Sequence, residues 1–474
     1  MLPIYEPLTP GQADDIHRAA LEVLDKAGVA LDHPKAQEAL AARGARISDD
    51  RKRVHLPEAT VEQLLALAPR EFLCAARDPD EDMVMRLGAG YARQGGGPFS
   101  LYDMRTGKAR PLAVRDAVDS VRLVNRLPHI NAPSTMTPHD LEVATYDVAA
   151  CKLVLENTRK HFWCLTTAAS HLEYELKMAA ACSGGIDNLR KRPTLSSIFC
   201  VIAPLRFPAD EIDRLILCGE YGVNVMTPLT VLMGGSAPYV MAGCMTQMTA
   251  EFLAAVCICQ ALCPGLGQWY YTLFQYLDMR SGLSVTHSPE LMILAAAGAQ
   301  MSARYGIPSL ANSLLSGDCE AQQVLLQYGA NILLGIMTGV TFQVGAGSLE
   351  CGNLYSHQSL VLVDEILDYL KAFQKGLDVT PETLAVRDIV DQAEKGEYLS
   401  SRLTMKYLRK ERHHVPDILT SPSLASFLEN PATLVDRAQA KFERIMGAPF
   451  EPPLSSDQQR EIDEIMREAS SKLG

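Results

Sequence analysis

The chain is poor in rings: aromatic residues make up 6% of its 474 positions, and only two are tryptophan. It has no apolar run approaching the roughly 20 residues that span a bilayer. The longest, residues 252–262 and 291–299, read as buried core helices. Basic residues are outnumbered, 44 against 56 acidic, for a net charge of -12. That balance disfavours a nucleic-acid backbone or an anionic membrane as the main partner. Phosphate-binding loops are missing too: Arg93-Gln94-Gly95-Gly96-Gly97-Pro98 lacks the GxGxxG spacing, and no Walker sequence occurs. Neither CxxC nor HExxH is present, and Cys257-Ile258-Cys259 with Cys263 is spaced too tightly on a helix for zinc. No metal site is expected. Residues 1–6 have neither a basic nor an apolar leader character, so a cytoplasmic location is expected, with the twelve cysteines reduced and unpaired.

What the chain does have is enough apolar sequence, 47%, to bury a large core. Thr9-Pro10-Gly11-Gln12 has the form of a capping box with proline at the first helical position, and Ile16, Ala20, Val23 and Leu24 then share one face. Residues 33–41 and 57–67 read as further short helices around a hairpin at 45–55, so residues 1–90 form a mostly helical N-terminal region. From residue 92 to residue 370 short apolar or β-branched runs alternate with helix-length segments rich in Ala and Leu. Residues 194–201 precede 209–221, 224–228 precede 239–263, 267–271 precede 288–305, and 308–312 precede 319–334. This repetition predicts an α/β fold, a TIM (β/α)8 barrel over residues 91–375, in preference to a doubly wound sheet. Residues 376–474 turn charged and helical again, with Ser456-Asp457-Gln458-Gln459 read as a second capping box.

Against the scarcity of rings, residues 269–276 carry five: Trp269, Tyr270, Tyr271, Phe274 and Tyr276. Ring faces attract cations, and a quaternary ammonium has no N–H to donate, so an aromatic cage is the main way to hold one. The competing reading is a barrel strand whose rings fill a core.

Several segments resemble the trimethylamine methyltransferase superfamily of corrinoid-dependent methyltransferases, including its branch without pyrrolysine that acts on quaternary amines. They are Gly95-Gly96-Gly97-Pro98 with Asp103 and Thr106-Gly107-Lys108-Ala109-Arg110-Pro111; Ala203-Pro204-Leu205-Arg206-Phe207; Gly234-Gly235-Ser236-Ala237-Pro238; Leu262-Cys263-Pro264-Gly265; and Gly347-Ser348-Leu349-Glu350 through Asp364-Glu365-Ile366. The resemblance implies a methyltransferase that moves a methyl group from an amine to the Co(I) of a separate corrinoid (cobalamin) protein. Every residue here is standard, so the implied substrate is a quaternary amine: glycine betaine first, with proline betaine, carnitine or γ-butyrobetaine as alternatives. The Asp-x-His-x-x-Gly sequence that ligates cobalt is absent, so the corrinoid is expected on a partner protein, with no tightly bound cofactor here. A homo-oligomer is also expected.

Tyr102, Trp163, Trp269, Tyr271, Phe274 and Tyr355 are the cage candidates, each equally readable as core. His357, Asn312 and Gln343 are candidates for the substrate carboxylate, and Arg206 could pair with it ionically. Two other functions stay open at this level. One is a barrel that binds a betaine without turning it over; the other is a zinc-dependent corrinoid methyltransferase.

Overall fold

The computed structural model describes residues 5–311, 319–393, 395–410, 414–420 and 422–474. Its centre is a curled parallel sheet of seven strands. In chain order these are β1 (Tyr91–Gln94), β2 (Phe162–Trp163), β3 (Leu195–Ile198), β4 (Val225–Met233), β5 (Gln268–Leu277), β6 (Ser309–Ala311) and β7 (Phe342–Ala346). Their spatial order is β1-β7-β6-β5-β4-β3-β2. Single parallel bridges, Arg93 to Ala132 and Ser134 to Trp163, link the two edge strands through residues 132–134. Among the described residues eight helices of eleven residues or more accompany them, besides the short Ile186–Lys191: α1 (Val114–Val124), α2 (Tyr146–Asn157), α3 (Ala169–Cys182), α4 (Ala209–Tyr221), α5 (Met241–Leu262), α6 (Pro289–Tyr305), α7 (Ala321–Thr338) and α8 (His357–Phe373). The arrangement is TIM-barrel-like, with each face of the sheet buried for a different reason.

Period-two alternation separates those faces. On β5, Trp269 and Tyr271 join Trp163, Met226, Leu310, Phe342 and Val344 in an inner cluster. Tyr270 and Phe274 point the other way, into the layer shared with the helices, where Phe252 of α5 meets Tyr270 edge-on at 4.2 Å. The helix-facing positions of β4 stay buried along the whole strand, whereas the inward ones pass from buried Met226 to half-buried Pro228 and exposed Thr230. β5 repeats the trend, from buried Trp269 and Tyr271 to half-buried Leu273 and Gln275. The interior is thus sealed at the strand N-termini and opens at their C-termini.

A hairpin of Phe72–Cys74 against Met83–Met85 makes the seal. Phe72 packs edge-on against Trp269 at 4.7 Å, Asn224 donates to the Leu73 carbonyl at 2.8 Å, and His161 Nδ1 donates to the Ala75 carbonyl at 2.9 Å. Gly267 is required there, since a Cβ would lie 2.5 Å from the Phe72 ring.

The N-terminal helices Pro10–Lys26, Pro34–Ala41 and Glu58–Leu65 pack on α5. That helix is long and apolar enough to cross a membrane, but 78% of its most apolar window is buried inside the protein. The first 90 residues are less helical than their pattern predicts. Val29–Leu31 pairs antiparallel with Arg53–His55 and parallel with Arg206–Phe207, so the region shares a separate small sheet with the segment between β3 and α4. The Thr9–Gln12 capping box forms as read; the C-terminal one is set by Ser455 and Gln458, one residue earlier than the sequence reading.

Candidate active site

A charged group lies against the inner cluster. Arg93 projects inward from β1 and is only 3% exposed. Its Nη1 donates to Ser134 Oγ and, at 3.4 Å, to the Gln94 carbonyl, while Nη2 lies 3.8 Å from Met226 Sδ. Nε has no partner. The guanidinium carbon stands 5.4 Å from the centre of the Trp163 ring. Among the described residues no carboxylate acts on it. Burial pulls its pKa down to about 10, with Tyr271 acting in the opposite sense, so it stays charged at neutral pH. Leaving a buried cation without a counter-charge costs several kcal/mol, more than a ring face returns at about 2.

Three of the cage candidates meet around this group. Trp163 and Trp269 are fully buried, with ring centres 5.5 Å apart, and Phe342 stands 4.9 Å from Trp163. Tyr271 is 6% exposed, one inward position nearer the open end than Trp269. The face of Trp163 that a cage would offer is already turned to Arg93, and Trp269 is closed off by Phe72. The two tryptophans therefore floor the interior and do not present free faces to an incoming cation.

The other candidates lie elsewhere. Phe274 is on the helix side of β5 and lines a cleft with Thr272, His287 and Asn331. Gln343 also faces the helices, donating to the Ile332 carbonyl at 3.4 Å. Tyr355 is buried in a second core, accepting a hydrogen bond from Ser120 at 2.5 Å. Tyr102 is half-buried in the ribbon Ser100–Asp103/Lys108–Pro111, which pairs with Leu354–Tyr355. His357 lines a second cleft, beside this ribbon and Tyr102, stacked on Phe442 at 4.8 Å and donating from Nε2 to the Asp116 carbonyl at 3.2 Å. Burial holds its pKa down at about 4, so it is neutral and its proton is committed. The Arg206 side chain is exposed on the strand joined to Val29–Leu31, and Asn312 lies outside the described residues. Among the described residues, no three His, Cys, Asp or Glu side chains gather as metal ligands would.

Comparison with known proteins matches the whole chain, residues 1–474, to the family described as trimethylamine methyltransferase (MTTB). The chain belongs to the MTTB family. A glycine betaine methyltransferase of Desulfitobacterium hafniense is 25% identical over 100% of this chain and 99% of that protein. A trimethylamine methyltransferase MttB of Methanosarcina barkeri is 28% identical over 80% of this chain and 78% of its own length. The crystal structure of the Methanosarcina barkeri monomethylamine methyltransferase (MtmB) shares the fold, with a TM-score of 0.53 at 12% identity over 99% of this chain and 89% of that one.

Within this MTTB-family chain the residue that sequence reasoning passed over is Arg93. It lies in the run Arg93–Pro98, whose glycines are its conspicuous feature. The available signal was a charge at an inward position of a short strand buried on both faces, two residues before the triple glycine.

Proposed function

We propose that this protein transfers a methyl group from a quaternary amine, with glycine betaine the first choice, to the Co(I) of a separate corrinoid protein. The supporting observation is the end-to-end likeness to a glycine betaine methyltransferase, over 100% of this chain and 99% of that protein. The reading counts residues 132–134 as the eighth stave of a (β/α)8 barrel, between helical additions at residues 1–90 and 376–474. It places the substrate in the interior that opens at the strand C-termini, which is where barrels of this class carry their chemistry.

The reaction is an in-line displacement. Co(I) supplies the electron pair for the new Co–CH3 bond, the C–N bond breaks, and its electron pair stays on nitrogen as a neutral tertiary amine. No general acid is needed for that leaving group. The protein's part is to orient the amine and exclude water. The cation loses charge in the transition state, so a site gripping it too tightly would slow the step. The corrinoid protein approaches the open end, and the chain acts as a cytoplasmic homo-oligomer.

The test mixes the full chain with a Co(I) corrinoid protein and each quaternary amine in turn, following the loss of Co(I) absorption. Methyl transfer from glycine betaine is expected. Silence with every quaternary amine refutes the reading, and tight binding without transfer would make the protein a betaine binder.

A further inference from the structure

Arg93 spans the interior. It starts on β1 and reaches Met226 on β4, and β4 is four steps from β1 by either route: through β7, β6 and β5, or through residues 132–134, β2 and β3. The guanidinium therefore lies across the full width of the sheet's curl. Its ligands are all neutral: a hydroxyl, a backbone carbonyl, a thioether and a ring face. Nε–H is unsatisfied, and the thioether on Nη2 is a weak acceptor on a flexible side chain. Towards the open end the next inward positions are apolar and half-buried: Leu165, Ile198, Pro228 and Leu273.

We infer that Arg93 is the anchor for a carboxylate on the substrate, and that the site takes zwitterionic quaternary amines carboxylate-first. Arginine suits this task because its planar fork can meet a carboxylate with two parallel N–H donors. The carboxylate takes the unsatisfied Nε–H and displaces the Met226 sulfur from Nη2. Once anchored, the far end of the molecule, its methylated nitrogen, points to the strand C-termini, where a methyl acceptor has room to approach. The inference rests on the proposed methyl transfer only for the purpose of that orientation; carboxylate recognition stands or falls separately.

The experiment compares glycine betaine with choline, which keeps the trimethylammonium group and replaces the carboxylate by a neutral CH2OH group. Calorimetry on the full chain is expected to show glycine betaine binding at least tenfold more tightly. Arg93→Met should bring the ratio close to one, and Arg93→Lys should restore part of it. A merely structural crossbar would not move this ratio, and the Arg93→Met melting temperature, measured without ligand, should not fall. Equal binding of the two compounds by the unaltered protein, or binding of neither, overturns the inference whether or not the variants fold. Discrimination that persists in Arg93→Met overturns it as well. If carboxylate discrimination holds while Co(I) absorption never changes, the methyl-transfer reading fails and the anchor remains.

Discussion

Gly95 leads the chain out of β1 directly against residues 347–349, and the contact is tight enough to calculate. Its N–H donates to the Ala346 carbonyl at 2.9 Å, which fixes the backbone in place. A Cβ added there would fall 1.7 Å from Ser348 Oγ and 3.0 Å from Ser348 Cβ. Ser348 is 2% exposed, so its hydroxyl has little space to rotate into. Gly95 is not among the positive-φ glycines, so Gly95→Ala carries steric strain alone. Overpacking of this kind costs about 1–3 kcal/mol. Ser348→Ala removes the closer collision and leaves the 3.0 Å contact. The double variant Gly95→Ala/Ser348→Ala should then regain at least ~1 kcal/mol relative to the sum of the single changes. Urea midpoints of the four proteins, compared at equal m-values, measure that coupling. Losses that add to within ~0.5 kcal/mol would refute the argument that Gly95 is required by Ser348.

Other outcomes follow from buried titratable groups. His357 and His161 are both held neutral by burial, with pKa values pushed down from 6.5 to about 4. Protons bind the unfolded state first, so the share of stability due to these two histidines should be constant above pH 6.5 and fall as pH drops from 6.5 to 4, by up to about 3 kcal/mol per group. Urea midpoints across that range, flattened by His357→Gln, check it. Glu175 behaves in the reverse sense: burial raises its pKa to about 8, and it accepts a hydrogen bond from Thr166. Its folded form keeps a proton that the unfolded chain has lost, so its favourable share is complete below pH 4.5 and disappears as pH rises to 8. Glu175→Gln should therefore raise the melting temperature at pH 8 and change it little at pH 4.5. Trp269→Ala, which opens the floor under Arg93 and strips the edge contact with Phe72, should cost ~3–5 kcal/mol with or without substrate. A loss seen only in ligand affinity would make Trp269 a binding ring.

The strand–helix alternation and the family motifs were legible because they are local. The period of two in residues 268–277 was legible too, but not which half of it faced the interior. Both faces of a parallel sheet are apolar, so nothing local distinguishes Trp269 and Tyr271, inside, from Tyr270 and Phe274, against the helices. Gln343 went astray for the same reason, landing against α7. Tyr355 and His357 depend on a longer-range event. The chain leaving β7 pairs with Ser100–Asp103, and that pairing carries both residues into the ribbon cleft. The helical reading of residues 1–90 missed Val29–Leu31 because both its partner strands, Arg53–His55 and the far more distant Arg206–Phe207, lie beyond the local window that a periodicity reading covers.

The arginine also changes what the rings mean. A second cation brought to about 6 Å from a guanidinium is repelled by ~3 kcal/mol at an effective dielectric near 20, more than one ring face returns. An interior walled by Arg93 and Trp163 is therefore a poor host for a bare quaternary cation such as tetramethylammonium, whatever its aromatic content. A zwitterion reverses the sign: its carboxylate lies nearest the guanidinium, and its ammonium sits farther out, beyond a neutralised pair. If so, tetramethylammonium should fail to compete with glycine betaine even at hundredfold excess in the unaltered protein. In Arg93→Met the repulsion is gone, and tetramethylammonium should begin to compete. Equal competition in both proteins would show that Arg93 does not set the charge of the site.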